Sequence, residues 1–367
     1  MQTVPSLRLL SALAIAATLA ACSPKEEPAA AEKGQATPDA GPSVVLKVAH
    51  FLPANSNAHF NIIGPWCDIL KEESAGRLIC QIYPSLQLGG TAATLVDQVE
   101  NGVADIVWTS PGYSAGRFPR VEAMELPFVM PYGAVIGNPL VWKFYEEYAK
   151  EDFKNYKVLA LHGDGGQDIH VRSKPVTSLE DFRGLKLRSS SRTTAKTLEA
   201  LGATPVSMPP AQMTESISKG VLDGALVSWE VVPPTKLDEV TQHHSNFAKG
   251  LPALGYTILS VLMNQQRYDA LPDDLKAILD KHSGMALVER FGREWDKYTD
   301  AAKEAVPSDK HFAVDDAEYA RWQDAVQSVA VDWVKDATER GLNGQELLDA
   351  ARSLQQQQSP QSTQEGS

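Results

Sequence analysis

Apolar positions over residues 44–109 alternate between two periods. Val44 to Phe51 reads as a strand, followed by a loop at Leu52-Pro-Ala-Asn-Ser56 and a helix over about 57–74. In that helix Phe60, Ile63, Cys67 and Leu70 share one face at spacings of three and four. Gly76 stops it, Arg77 to Tyr83 is a second strand, and a short helix from Ala92 to Glu100 closes at Asn101-Gly102. Ala104 to Thr109 is a third, buried strand. Strand–helix–strand–helix–strand order predicts a doubly wound sheet, whose ligands sit beyond the carboxyl ends of the strands. Phe51, Trp108 and Ser110 fall at those ends.

A second block repeats the pattern. Tyr156 to His162 and Ile169 to Ser173 read as strands, Lys186 to Ser189 leads into a helix over about 193–201, and Thr204 to Met208 is a short strand. A helix from Gln212 to Lys219 then precedes a strand with a turn in it, Val221 to Val227. Gly163-Asp-Gly-Gly166 lacks the lysine and the strand-to-helix context of a phosphate loop, and reads as a flexible link. The last hundred residues are helical in pattern. One long segment runs from about Pro272 to Ala305, and Trp322, Val326, Val329 and Trp333 mark the face of another helix. Two β/α blocks of similar size predict two lobes with a cleft between them. We expect residues 44–165 with 253–292 in the first lobe, and 166–252 with 293–354 in the second.

The ends of the chain read differently. Arg8, the apolar run Leu9 to Leu19 and the small residues before Cys22 have the form of a signal peptide over residues 1–21, too short to span a membrane. Small residues followed by cysteine resemble a bacterial lipobox, which would make Cys22 a lipidated N-terminus and the membrane a partner through that anchor. Residues 22–43 are rich in Ala, Pro, Glu and Lys and read as a disordered tether; residues 355–367, rich in Gln and Ser, read as a disordered tail. Charge adds one exclusion. The chain has 34 Lys+Arg against 46 Asp+Glu, and residues 1–21 contain only Arg8 among them, leaving 33 against 46. So acidic a chain argues against nucleic acid as a partner. Cys67 and Cys80 point into one helix–strand interface, as a disulfide in an exported protein or as two small buried thiols.

The candidate chemistry centres on Arg188. It ends the run Gly184-Leu-Lys-Leu-Arg188, just before the polar turn Ser189-Ser-Ser191, where a guanidinium offers a fork of donors that fits a carboxylate. The run Lys174 to Arg188, then Leu201-Gly-Ala-Thr-Pro205 and Gly220-Val-Leu-Asp-Gly224, is supported by Gln81-Ile-Tyr-Pro84, Asn101-Gly-Val-Ala-Asp105 and Leu126-Pro-Phe128. In this order the pieces resemble the substrate-binding proteins of tripartite ATP-independent periplasmic (TRAP) transporters. The resemblance implies an α/β, two-lobe periplasmic-binding-protein fold with long C-terminal helices. It implies a small organic carboxylate clamped by Arg188, lobe closure, and delivery to a small and a large membrane subunit driven by an ion gradient.

Departures from the family pattern bear on the ligand. Val227 stands where many members have an asparagine that helps hold the carboxylate. Ser110 stands where sialate-binding members have glutamate, Phe51 where they have asparagine, and Thr91 near their aspartate. A sialic acid is therefore not expected. Phe51, Trp108, Tyr113 and Trp229 offer aromatic walls instead, with Trp108 and Trp229 expected to face the cleft. His50, His170 and Arg172 are candidates for a further polar contact, and Ser191 lies in the turn after the arginine. The expected ligand is an aromatic or a 2-oxo or 2-hydroxy monocarboxylate. Alternatives are presentation of a ligand to a sensor kinase, or an exported enzyme. The sequence has no Gly-x-Ser-x-Gly elbow and no His-Glu-x-x-His, and His243-His244 is not at metal-ligand spacing on a helix but reads as exposed loop. No cofactor or metal ion is expected.

Overall fold

The computed structural model describes residues 41–357. The leader, Cys22, most of the tether and the last ten residues lie outside the described residues. In chain order, β1 (Val44–His50), α1 (Gly64–Glu73), β2 (Leu78–Tyr83), α2 (Leu95–Glu100) and β3 (Ile106–Thr109) form a parallel wound block. Then α3 (Ala134–Phe144) leads to β4 (Tyr156–Gly163). The chain crosses to a second sheet through β5 (Asp168–Val171), β6 (Lys186–Ser189), α4 (Arg192–Ala200) and β7 (Thr204–Ser207). It continues with α5 (Met213–Ser218), β8 (Gly224–Val227), α6 (Val232–Thr235) and β9 (His243–Ser245). A return strand, β10 (Ile258–Asn264), is followed by α7 (Gln265–Asp269), α8 (Asp273–Lys281) and α9 (Met285–Ala305). The short β11 (His311–Phe312) precedes α10 (Asp316–Ala325), α11 (Gln327–Glu339) and α12 (Gly344–Gln356).

The first sheet has the order β2-β1-β3-β10-β4, and the second β11-β9-β5-β8-β6-β7. Leu46, Val48, Ile106 and Val107 are fully buried under the helices of the first sheet. Cys67 on α1 is bonded to Cys80 on β2, with Cα atoms 5.7 Å apart, so helix and strand are tied covalently.

Two segments cross between the sheets side by side. Asp164 N donates to Thr257 O at 3.0 Å, and Gln167 N to Gly255 O at 2.9 Å. A side chain at Gly163 would run into the Tyr256 ring, and Gly166 has φ +98. Glycine is needed here for close approach and for a left-handed turn. The link expected at Gly163–Gly166 is thus a packed crossing.

Helix α9 lies against α3 and β4 of the first lobe and against the Trp229–Val231 turn of the second. It is a third connection between the lobes, and the expected boundary at 292/293 cuts through its middle. The assignment of 293–354 wholly to the second lobe also needs correction. Helix α11 packs on α4, but α12 packs on α3 and the Val121–Glu125 turn.

Three periodicity readings fail for local reasons. Phe60 is 72% exposed, because Ala58–Ile63 is a π-turn whose wider winding shifts the face before α1 begins. The segment 272–305 is two helices, broken at Gly284 with φ +62. Trp322 and Trp333 belong to separate helices divided at Val326, although both are buried. At the tail, α12 continues to Gln356, past the expected start of disorder at 355. Among the described residues no helix is long and apolar enough to cross a membrane.

Candidate functional site

Arg188 sits on β6 between β7 and β8, opposite Val206 and Ala225. Its side chain is 1% exposed. Nε donates to Met208 O at 2.9 Å, one terminal nitrogen lies 3.4 Å from Leu226 O, and the other has no partner. Among the described residues no carboxylate lies within ion-pair distance of it. The Tyr113 hydroxyl, from the other lobe, lies beside the guanidinium without ordinary hydrogen-bond geometry. Burial pulls the guanidinium below its usual range, opposed by the nearby Tyr113 and Asp164.

Arg188 opens into a small cavity whose walls come from both lobes. The first lobe supplies Phe51, Leu52, Trp108 and Tyr113, and the second Ser190, Pro210, Val227, Ser228, Glu230 and Val231. The crossings add Asp164, Gln167 and Thr257; β10 adds Leu259, and α9 adds Trp295. Phe51 stacks on Trp108 at 5.0 Å and 10°, with Tyr113 edge-on to Phe51 at 5.4 Å. Trp108 Nε1 donates to His162 Nε2 at 3.0 Å. Since an indole only donates, His162 carries its proton on Nδ1, facing Gly163 O. Burial pushes this imidazole down to about 3, so it stays neutral. Trp295 Nε1 donates to Asp164 O at 2.8 Å, anchoring α9 to the crossing.

A polar shelf fixes the floor of the cavity. Gln167 Nε2 lies 2.9 Å from Asp164 Oδ2, 3.0 Å from Ser190 Oγ and 2.6 Å from Thr257 Oγ1. Burial raises the Asp164 carboxyl to about 6, held back by bonds from Gln167 and backbone amides. Ser191 caps α4, its Oγ accepting from Thr194 N, and faces Glu125 of the first lobe. Glu125 accepts from Ile258 N at 3.0 Å, and burial raises its carboxyl to about 8.

Of the residues singled out in the sequence, Arg188, Phe51, Trp108, Tyr113 and Val227 meet at this cavity. Thr91, Ser191 and again Tyr113 line a wider groove, along with Met208 and Gln212. Tyr113 and Ser190 belong to both, which makes the groove the mouth of the cleft. Ser110 is fully buried beneath it, its Oγ accepting from Gly112 N. His50 lies behind Trp108, bonded to His59 at 2.8 Å.

Trp229, His170 and Arg172 lie away from the cavity, against expectation. The 3-10 turn after β8 turns Glu230 to the cavity and sends Trp229 to the far side of the sheet. There it stacks on His311 at 5.3 Å and meets His170 edge-on. His170 Nε2 faces Val227 O at 3.2 Å and therefore holds the proton, so Nδ1 accepts from His244 Nδ1 at 2.8 Å. His244 is buried in β9, not exposed in a loop. Arg172 is exposed, donating to Ile217 O at 2.9 Å. Sequence reasoning missed Trp295, Glu230, Asp164 and Gln167. Of these only Trp295 carried a signal, the Phe291–Trp295 spacing of four on an amphipathic helix. Among the described residues no three His, Cys, Asp or Glu side chains are grouped to hold a metal ion.

The model of the DctP family, described as bacterial extracellular solute-binding protein, family 7, matches residues 48–336. The chain belongs to this family. Solved TRAP solute-binding proteins share its fold. One from Rhodoferax ferrireducens, in complex with copurified benzoate, is 38% identical with a TM-score of 0.83, covering 88% of this chain and 100% of that one. One from a marine metagenome, specific for aromatic acid ligands and co-crystallised with 3-hydroxybenzoate, is 36% identical with a TM-score of 0.82, covering 86% and 99%. A Bordetella bronchiseptica protein with bound (R)- and (S)-mandelate is 26% identical with a TM-score of 0.77, covering 86% and 99%. The protein is thus a TRAP solute-binding protein of two-lobe α/β architecture, and its family and these neighbours are solute-binding proteins, not enzymes.

Proposed function

We propose that this TRAP solute-binding protein captures an aromatic monocarboxylate, with Arg188 as the carboxylate clamp and Phe51, Trp108 and Trp295 as walls for the ring. The observation that carries this is a fully buried guanidinium that has, among the described residues, an unpartnered nitrogen and no counter-ion, in a cavity lined by stacked aromatics. An anion arriving there supplies the missing charge, and rings can pack offset or edge-on against indole and phenyl faces. Neighbours that hold benzoate, 3-hydroxybenzoate and mandelate support the same ligand class. Entry is through the groove at Thr91 and Ser191, and the lobes close about the paired crossings to seal it. The ligand then passes to the two membrane subunits for ion-gradient-driven uptake. Cys22, lipidated, would tether the protein at the membrane.

Thermal-shift measurements on the mature protein test this reading. Benzoate, hydroxybenzoates and mandelate should raise the melting temperature, with about 2.7 kcal/mol of stabilisation at a hundredfold excess over Kd. Stabilisation by sugars or amines alone, with no response to carboxylates, overturns it.

A further inference from the structure

We propose that Glu230 is a second ligand contact in the Arg188 cavity and selects carboxylates that also carry a hydroxyl group. The proposal rests on the reading of this cavity as a carboxylate site and adds to it a second point of recognition. Glu230 lies in the turn after β8, is fully buried and lines the cavity, yet neither carboxyl oxygen has a partner among the described residues. The other buried carboxylates are all satisfied. Glu125 accepts from Ile258 N, Asp164 from Gly166 N, Asp168 from Ser245 Oγ, and Asp296 from Ala134 N. A buried polar group without a partner is the exception in native proteins and calls for a specific explanation.

The electrostatics of the cavity say which ligand group fits. No lysine, arginine or histidine lies within ion-pair distance of Glu230 among the described residues, and Asp164 is the charged group that acts on it. Burial, then Asp164, push its carboxyl up to about 8. At neutral pH Glu230 is therefore mostly a neutral acid with one donor and one free carbonyl acceptor. In that state it does not repel the anion that Arg188 attracts. A hydroxyl, which also both donates and accepts, is its natural complement. A ligand lacking one leaves both oxygens desolvated and unpaired, and sites built to bond a hydroxyl discriminate strongly against such analogues.

Isothermal titration of the mature protein with matched acids tests this. The pairs are benzoate against 3- and 4-hydroxybenzoate, phenylacetate against mandelate, and butyrate against 3-hydroxybutyrate, with the zwitterion 3-(aminomethyl)benzoate as an ammonium-bearing control. At least one hydroxylated acid should bind tenfold or more tightly than its parent. Glu230→Leu should bring that ratio within twofold, with an unchanged circular-dichroism spectrum and a cooperative melt showing that the variant is folded; Glu230→Gln should keep the preference. Equal affinities across every pair, a preference that survives Glu230→Leu, or tighter binding of the ammonium-bearing acid would each overturn the proposal. A hydroxyl preference confined to the aliphatic pair, with no arene bound, overturns the aromatic reading and leaves this one standing.

Discussion

Burying a guanidinium without a counter-ion costs several kcal/mol, and among the described residues Arg188 receives in return only bonds to the Met208 and Leu226 carbonyls. That imbalance makes the residue separable into a binding role and a folding role. Arg188→Met should abolish stabilisation by carboxylates, a loss of about 3 kcal/mol or more in binding. The same variant without ligand should melt no lower than the parent protein, because a desolvated charge has been replaced by apolar volume. A fall of many degrees would mean that the charge is compensated within the fold. At this scale the sequence was readable where a motif carried the residue, as with Arg188, and where a strand end did, as with Phe51 and Trp108. It was not readable at Trp229 and Glu230. Neighbours in a 3-10 turn point about a third of a turn apart, so the choice between them is set by how the turn leaves β8. Nothing in the residue types fixes that.

At the scale of elements, most strands were legible because alternation and bounding glycines survive in a single sequence. Lys186–Ser189 falls where the pattern placed it, and β1 to β5, β7 and β8 differ from the reading by a few residues at their ends, whereas β9, β10 and β11 were not read as strands at all. The failures came where a break has no strong residue signal, as at Val326, where a glycine stop was passed over, as at Gly284, or where a wider winding displaces a face, as at Phe60. The Cys67–Cys80 bond ties α1 to β2 across a sequence separation of 13. In the chain-entropy account a loop of this size contributes about 3 kcal/mol. Cys67→Ala with Cys80→Ala, or chemical reduction, should therefore lower the melting temperature by several degrees while leaving carboxylate affinity within about twofold, since the bond is remote from the cavity. Calorimetry and titration of the double variant check both halves of that statement.

For the whole molecule, buried titratable groups of two kinds act in opposite directions. His50 and His162 are pushed down to about 3 and His244 to about 4, and His170 is also lowered, in each case chiefly by burial. Each contributes stability that is present above the ordinary histidine value of 6.5 and is lost as pH falls below it. Asp164, raised to about 6, and Glu125 and Glu230, raised to about 8, behave in the reverse sense. Their contribution is complete below their unfolded values near 4 and is lost as pH rises through 6 and then 8. Together these seven groups place the maximum of ligand-free stability between about pH 6 and 7, with losses on both sides. Melting curves from pH 5 to pH 9 test the shape; a monotonic rise to pH 9 would show that the two glutamates are ionised in the folded protein. None of this was legible in the sequence, which shows that a glutamate is present but not that it is enclosed without a partner.

Two of the seven tryptophans, Trp108 and Trp295, form walls of the cavity, and the other five lie elsewhere in the fold. One is wired to a neutral imidazole and the other to the backbone of a crossing segment. Whatever enters the pocket must therefore change the surroundings of two indole chromophores held by fixed bonds. The protein carries its own optical reporter, and the filling of its site can be followed by ultraviolet emission without attaching a dye.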